Sequence, residues 1–197
     1  YRMNDKILQF SNQQFYDGKL KSHDSNMHHH LEGDQDVITF IDTSGCGFDE
    51  AFNHQFKSLS NEGEFFILAE HFMRMDALYS DVSIGIISPY AEQVRFIRDK
   101  RRDYPVMIGK DIEVNTIDGF QGQEKDVIYI SLVRSNDKSE IGFLKDYRSI
   151  NVALTRAKKK LVMIGDGATL SNDSMYAALM DHIEQHGTYQ SAWEYMT

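Results

Sequence analysis

Apolar residues in this chain fall into short unbroken runs, separated by segments in which they recur every third or fourth position. Five runs, Val37–Asp42, Ser83–Ser88, Ile112–Thr116, Val127–Val133 and Leu161–Gly165, are rich in β-branched residues and do not alternate with polar ones. Such runs read as strands buried on both faces. Helical patterns lie around and between them. Asn4 to Tyr16 places Ile7, Phe10, Gln14 and Phe15 near one face, and Asp17-Gly18 closes it. Glu64–Tyr79 repeats Phe65, Leu68, Phe72, Met75 and Tyr79; Ala91–Arg102 sets Val94 and Ile97 against its arginines. Arg148–Lys158 carries the stripe Ile150, Ala153, Leu154 and Ala157, and Met175, Leu179, His182 and Ile183 form another. Strand and helix in alternation predict an α/β fold, a mainly parallel sheet flanked by helices.

Composition adds bounds. The 197 residues suit one domain with appendages. No apolar run reaches the ~18 residues of a membrane span, so no membrane partner is expected. Cys46 is the single cysteine, which excludes an internal disulfide and fits a reducing, cytoplasmic setting. A net charge of −9 excludes a basic surface overall, although a local basic strip stays open. His28-His29-His30 reads as part of a solvated loop. His182 and His186 have zinc-like spacing but lack the glutamate after the first histidine, so no metal site is assigned.

Ligands of parallel sheets gather at the carboxyl ends of strands. There the chain places Ser88-Pro89-Tyr90, then the stretch Asn115 to Asp126 with Asp118-Gly119-Phe120-Gln121-Gly122-Gln123-Glu124, and then Arg134-Ser135-Asn136. These loops are rich in the hydroxyl, amide and glycine groups that hold phosphate or ribose. The helix over 148–158 adds Arg148, Asn151 and Thr155 on its polar face, with Arg156 beside them.

Four blocks in this order resemble superfamily 1 helicases: Tyr1-Arg2-Met3 with Phe15-Tyr16-Asp17-Gly18, Ser88-Pro89-Tyr90, the Asp118–Asp126 loop, and Asn151-Val152-Ala153-Leu154-Thr155-Arg156-Ala157-Lys158. The likeness is to the nonsense-mediated-decay helicase type, the 5′ to 3′ class. Asn4 stands where that family usually has histidine. The resemblance implies a three-layer RecA-like fold, with residues 1–35 as an opening segment, 36–170 as the second RecA-like domain and 171–197 as a helical appendage. No G-x-x-x-x-G-K-[ST] loop is present, and Gly109-Lys110 is followed by Asp111. The phosphate cradle and the Mg²⁺ ligands are therefore expected in an N-terminal RecA-like domain of the same polypeptide, and these residues alone are expected to lack ATPase activity.

The resemblance also implies roles. Arg156 and Arg2 would be arginine fingers on the γ-phosphate of ATP, with Gln121 a further contributor. Tyr1 would pack on adenine, and Glu124 would take the ribose hydroxyls beside Gly122. Ser88, Tyr90, Asn115 and Thr116 would grip single-stranded DNA or RNA at the opposite edge. Plainer readings exist for several of these: Ser88-Pro89-Tyr90 as a helix start, Glu124 paired with Lys125 or Arg134, Gly119 and Gly122 as turn glycines needing an unusual φ. Arg95, Arg98, Lys100, Arg101 and Arg102 could bind phosphates, with a solvated helix face as the plainer reading. A nucleotide-independent nucleic-acid-binding or interaction module with a relic RecA-like fold is the alternative function, and a 3′ to 5′ relative is disfavoured by the short spacing.

Overall fold

The structure, a computed structural model, describes residues 3–20, 29–120 and 123–197. In chain order its elements are α1 (Asp5–Phe15), β1 (Ile38–Asp42), β2 (Ala51–Asn53), β3 (Ser58–Ser60), α2 (Glu62–Met75), β4 (Ile84–Ser88), α3 (Ala91–Lys100), β5 (Ile112–Thr116), β6 (Lys125–Ser131), α4 (Tyr147–Leu154), β7 (Ala157–Gly165), α5 (Gly167–Leu170), α6 (Ser174–His186) and β8 (Thr188–Ser191). Six strands form one sheet in the order β5-β4-β6-β7-β1-β8, and every pairing in it is parallel. The two short strands β2 and β3 make an antiparallel hairpin.

Alternate residues of each strand feed opposite faces, so the sheet builds two cores. On one face Phe40, Ile128, Ile130, Leu161 and Met163 lie beneath α1, α4 and α6. On the other, Ile41, Ile86, Tyr129, Val162 and Ile164 lie beneath α2 and α3. The apolar runs are unbroken because both faces are covered, as a three-layer RecA-like architecture requires.

Three boundaries differ from the sequence expectation. The helix over 148–158 ends at Leu154, and Ala157 begins β7. The Lys125 N–H donates to the Arg156 carbonyl at 3.0 Å, which draws the chain into the sheet one turn early. Helix α2 starts at Glu62, because Asn61 caps it by accepting from the Glu64 N–H. Residues 171–197 are not purely helical. Gly187, where a Cβ would strike the Ile38 carbonyl, turns the chain into β8, which pairs with β1 at the sheet edge. The other edge, β5, is covered by α3 and the turn that follows it: Arg98 donates twice to the Val114 carbonyl, at 3.0 and 2.7 Å, and Arg101 to that of Ile112 at 3.2 Å. These bonds occupy acceptors that would otherwise invite another strand.

Candidate functional site

The candidate residues divide between two opposite edges of the sheet, because all its strands run the same way. Glu124 and Arg156 precede β6 and β7 and so lie at the amino edge, whereas Ser88 and Thr116 end β4 and β5 at the carboxyl edge. Of the two sets, only the second stands at the carboxyl ends to which the sequence drew attention.

At the amino edge, α4 delivers Arg156. Thr155 ends the helix with its hydroxyl on the Val152 carbonyl, and the Arg156 N–H bonds that of Ala153. The register Lys125↔Ala157 then puts Glu124 and Arg156 on neighbouring strands one residue before the ladder begins. The Asn4 N–H donates to the Lys158 carbonyl at 3.1 Å, so the segment leading into α1 runs along the start of β7. The Arg156 Nε is buried without a hydrogen-bond partner, and its guanidinium makes no ion pair among the described residues. Glu124 is exposed, and neither neighbour suggested by the sequence engages it: Lys125 pairs with Glu113 at 3.5 Å and Arg134 with Glu50 at 2.8 Å. Tyr1, Arg2, Gln121 and Gly122 lie outside the described residues. The nearby lysines are spent: Lys160 is buried against Asp34 at 2.7 Å, and Lys158 and Lys159 share Asp126 at 4.0 and 3.8 Å.

At the carboxyl edge, Thr116 and Asn115 are half-buried, with the Asn115 Oδ1 accepting from the Thr116 N–H at 2.9 Å. Gly119 does not need an unusual φ; it is glycine because a Cβ would collide with the Asn115 amide. The Ser88 hydroxyl is fully buried and accepts from the Tyr90 N–H at 3.3 Å, a local turn. Tyr90 is 3% exposed and leads into α3, its hydroxyl donating to the Ile141 carbonyl and accepting from Arg134. Both side chains therefore face inward, and only their backbone lies at this edge.

The sequence did not single out the device beneath this edge. After β6 the chain makes a γ-turn at Val133, with φ +71° and the Arg134 N–H on the Leu132 carbonyl at 2.8 Å. A positive φ at a β-branched residue costs about 1–3 kcal/mol and persists only when neighbours over-determine it. They do: the Val133 N–H donates to Glu64 at 2.9 Å and its carbonyl accepts from Asn61 at 3.0 Å, both from the start of α2. The turn aims Arg134 at Glu50, in a two-point contact, and at Tyr90. Glu64 is wholly buried, and its second oxygen has no partner. Burial pushes its pKa from an ordinary 4.5 to about 8, despite the Val133 and Ser131 donors, so it is mostly protonated at neutral pH.

A doubly covered parallel sheet with this order and these two edges is a RecA-like α/β domain. The chain belongs to the AAA domain family, whose model matches residues 1–168. Within it, the sequence is that of a C-terminal domain of the superfamily 1 helicases, of the nonsense-mediated-decay type. The chain is 34% identical to the DNA-binding protein SMUBP-2 of Rattus norvegicus over all of its own length, and 40% identical to the DNA polymerase alpha-associated DNA helicase A of Saccharomyces cerevisiae over 84% of it. It is 37% identical to the helicase SEN1 of the same yeast over 92% of its length. It spans 20%, 26% and 9% of those relatives, respectively. A solved C-terminal domain of a possible DNA helicase from a Lactobacillus superimposes with a TM-score of 0.54 over 98% of both chains at 12% identity, a likeness of fold. Among the described residues no helix is long and apolar enough to cross a membrane, and no three His, Cys, Asp or Glu side chains converge as a metal site.

Proposed function

We propose that this chain is the second motor domain of an ATP-dependent nucleic-acid helicase or translocase, and that it lends Arg156 to a triphosphate held by an N-terminal RecA-like domain of the same polypeptide. The observation that carries this reading is the uncommitted Arg156 guanidinium, its Nε buried and unbonded, beside an uncommitted Glu124. A buried donor left unpaired costs about 1–3 kcal/mol, a penalty that an anion docking at the edge would remove. In phosphoryl transfer, negative charge spreads over the γ-phosphoryl oxygens, and a planar guanidinium meets two of them at once. Bound ATP with Mg²⁺ supplies the reacting phosphates and their charge; Arg156 neutralises, and Glu124 accepts from the ribose hydroxyls. Arg2 as a second finger, Tyr1 against adenine, and Gln121 and Gly122 along the nucleotide edge complete the proposal.

At the carboxyl edge, roughly 20 Å away along the strands, Asn115 and Thr116 hold a single strand of DNA or RNA. Ser88 and Tyr90 contribute by shaping the backbone at this edge, since their side chains face inward. The names of the relatives, DNA-binding protein and helicase, support the nucleic-acid assignment. A cytoplasmic setting fits the single free Cys46. Steady-state ATPase assays test the reading. The intact gene product should hydrolyse Mg²⁺-ATP with stimulation by single strands, and the 197 residues alone should show no turnover. Robust turnover by the chain alone overturns the shared cleft.

A further inference from the structure

Phe143 is the most exposed large apolar side chain among the described residues, at 67%. It is not a loose surface residue. Its ring stacks on that of Tyr90, with centroids 5.4 Å apart and planes 22° from parallel, and Tyr90 is in turn fixed by Arg134 and Ile141. Gly142, at φ +49°, lets the chain pass over Arg134, where a Cβ would collide with the guanidinium. One aromatic face is thus held rigidly toward solvent. It borders a cleft of about 240 Å³ shared with Pro89, Thr116 and Asp118.

Thr116 also lines a second cleft, of about 450 Å³, which continues between α3 and β5 past Arg95, Arg98 and Arg102. Arg98 is anchored on the Val114 carbonyl, and Arg102 is exposed with no ion pair among the described residues. The two clefts differ in charge. The first carries Asp118 and Asp146, which repel phosphate and can accept from base amino groups; the second carries three arginines, of which Arg95 is paired with Glu92, leaving Arg98 and Arg102 against Asp99.

We infer that a single-stranded nucleic acid lies across Thr116 with one base stacked on Phe143 and its adjoining phosphates in the arginine groove between α3 and β5. This rests on the nucleic-acid reading above and adds contacts which that reading does not contain. A base on an aromatic face and a phosphate at a guanidinium are the two sequence-tolerant contacts of single-strand binding.

Fluorescence anisotropy of the intact gene product with a fluorescein-labelled oligodeoxythymidylate tests it. Phe143→Ala should weaken binding about 30-fold, the middle of the range for losing one stacked base. Phe143→Trp should retain affinity, which separates stacking from damage to the fold. On an abasic oligomer the Phe143→Ala effect should vanish while Arg102→Ala still weakens binding. Arg102→Ala should also lower the salt slope by about 0.7. If wild type binds and both alanine variants bind as tightly, the track is overturned and the helicase reading survives. If wild type binds no single strand at all, both are overturned.

Discussion

Replacing Glu64 with glutamine should flatten the pH dependence of stability. The carboxyl is fully buried, its first oxygen accepts from the Ser131 hydroxyl and the Val133 N–H, and its second has no partner. Its pKa is about 8 in the folded chain against an ordinary 4.5. Between those values the folded state binds the extra proton, so stability is fully present below pH 4.5 and is lost as pH rises to about 8. At about 1.4 kcal/mol per unit, the total is roughly 5 kcal/mol. Glutamine keeps the acceptor for Ser131 and Val133 and cannot ionise. Its second group lacks a partner, as the carboxyl hydroxyl does, so a pH-independent offset of about 1 kcal/mol is expected. Urea unfolding of both proteins from pH 5 to 9 measures the difference, in which all shared titrations cancel. The variant should gain on the wild type with rising pH, by several kcal/mol by pH 8. Parallel curves across the whole range would refute both the raised pKa and the account of how the Val133 turn is held.

Two further outcomes follow from the same geometry. Asp34→Ala strands the buried Lys160 ammonium and should cost about 3–5 kcal/mol in urea unfolding, while Asp34→Ala combined with Lys160→Met should recover most of it; no recovery would mean the ion pair is not the cause. Gly142→Ala drives a Cβ into Arg134 at φ +49° and should cost about 1–3 kcal/mol, a melting-temperature drop of about 2–10 °C by calorimetry; an unchanged melting temperature would contradict the packing beneath Phe143.

The sheet was legible because burial on both faces leaves a local mark, runs such as Ile84–Ile87 and Leu161–Ile164 that no amphipathic helix produces. The strand β8, Thr-Tyr-Gln-Ser, left no such mark: it is a half-exposed edge whose pairing with β1 is decided by Gly187 and by packing of α6. Arg156 and Glu124 could be named from their motifs. That they stand at the amino edge could not, because which end of a strand a loop occupies depends on where its neighbours enter the sheet. The motif that sets Ser88 and Tyr90 against nucleic acid does not say whether side chain or backbone makes the contact, and the burial that turns both side chains inward is a tertiary fact. Glu64 looked like one more acid on a helix. Its burial follows from α2 being capped by Asn61 and facing the Val133 turn. Phe143 carries a weak local signal, a lone aromatic after glycine in a polar stretch, which becomes informative only once Tyr90 is seen beneath it.

The claim that this domain completes a shared nucleotide cleft is tested most directly by Arg156→Ala in the intact gene product, with kcat for single-strand-stimulated ATP hydrolysis and the Kd for a fluorescent ATP analogue measured side by side. The account predicts a fall in kcat of at least ~10³ with Kd changed by no more than a few-fold. A variant that hydrolyses ATP at close to the wild-type rate would remove Arg156 from the cleft and contradict the account.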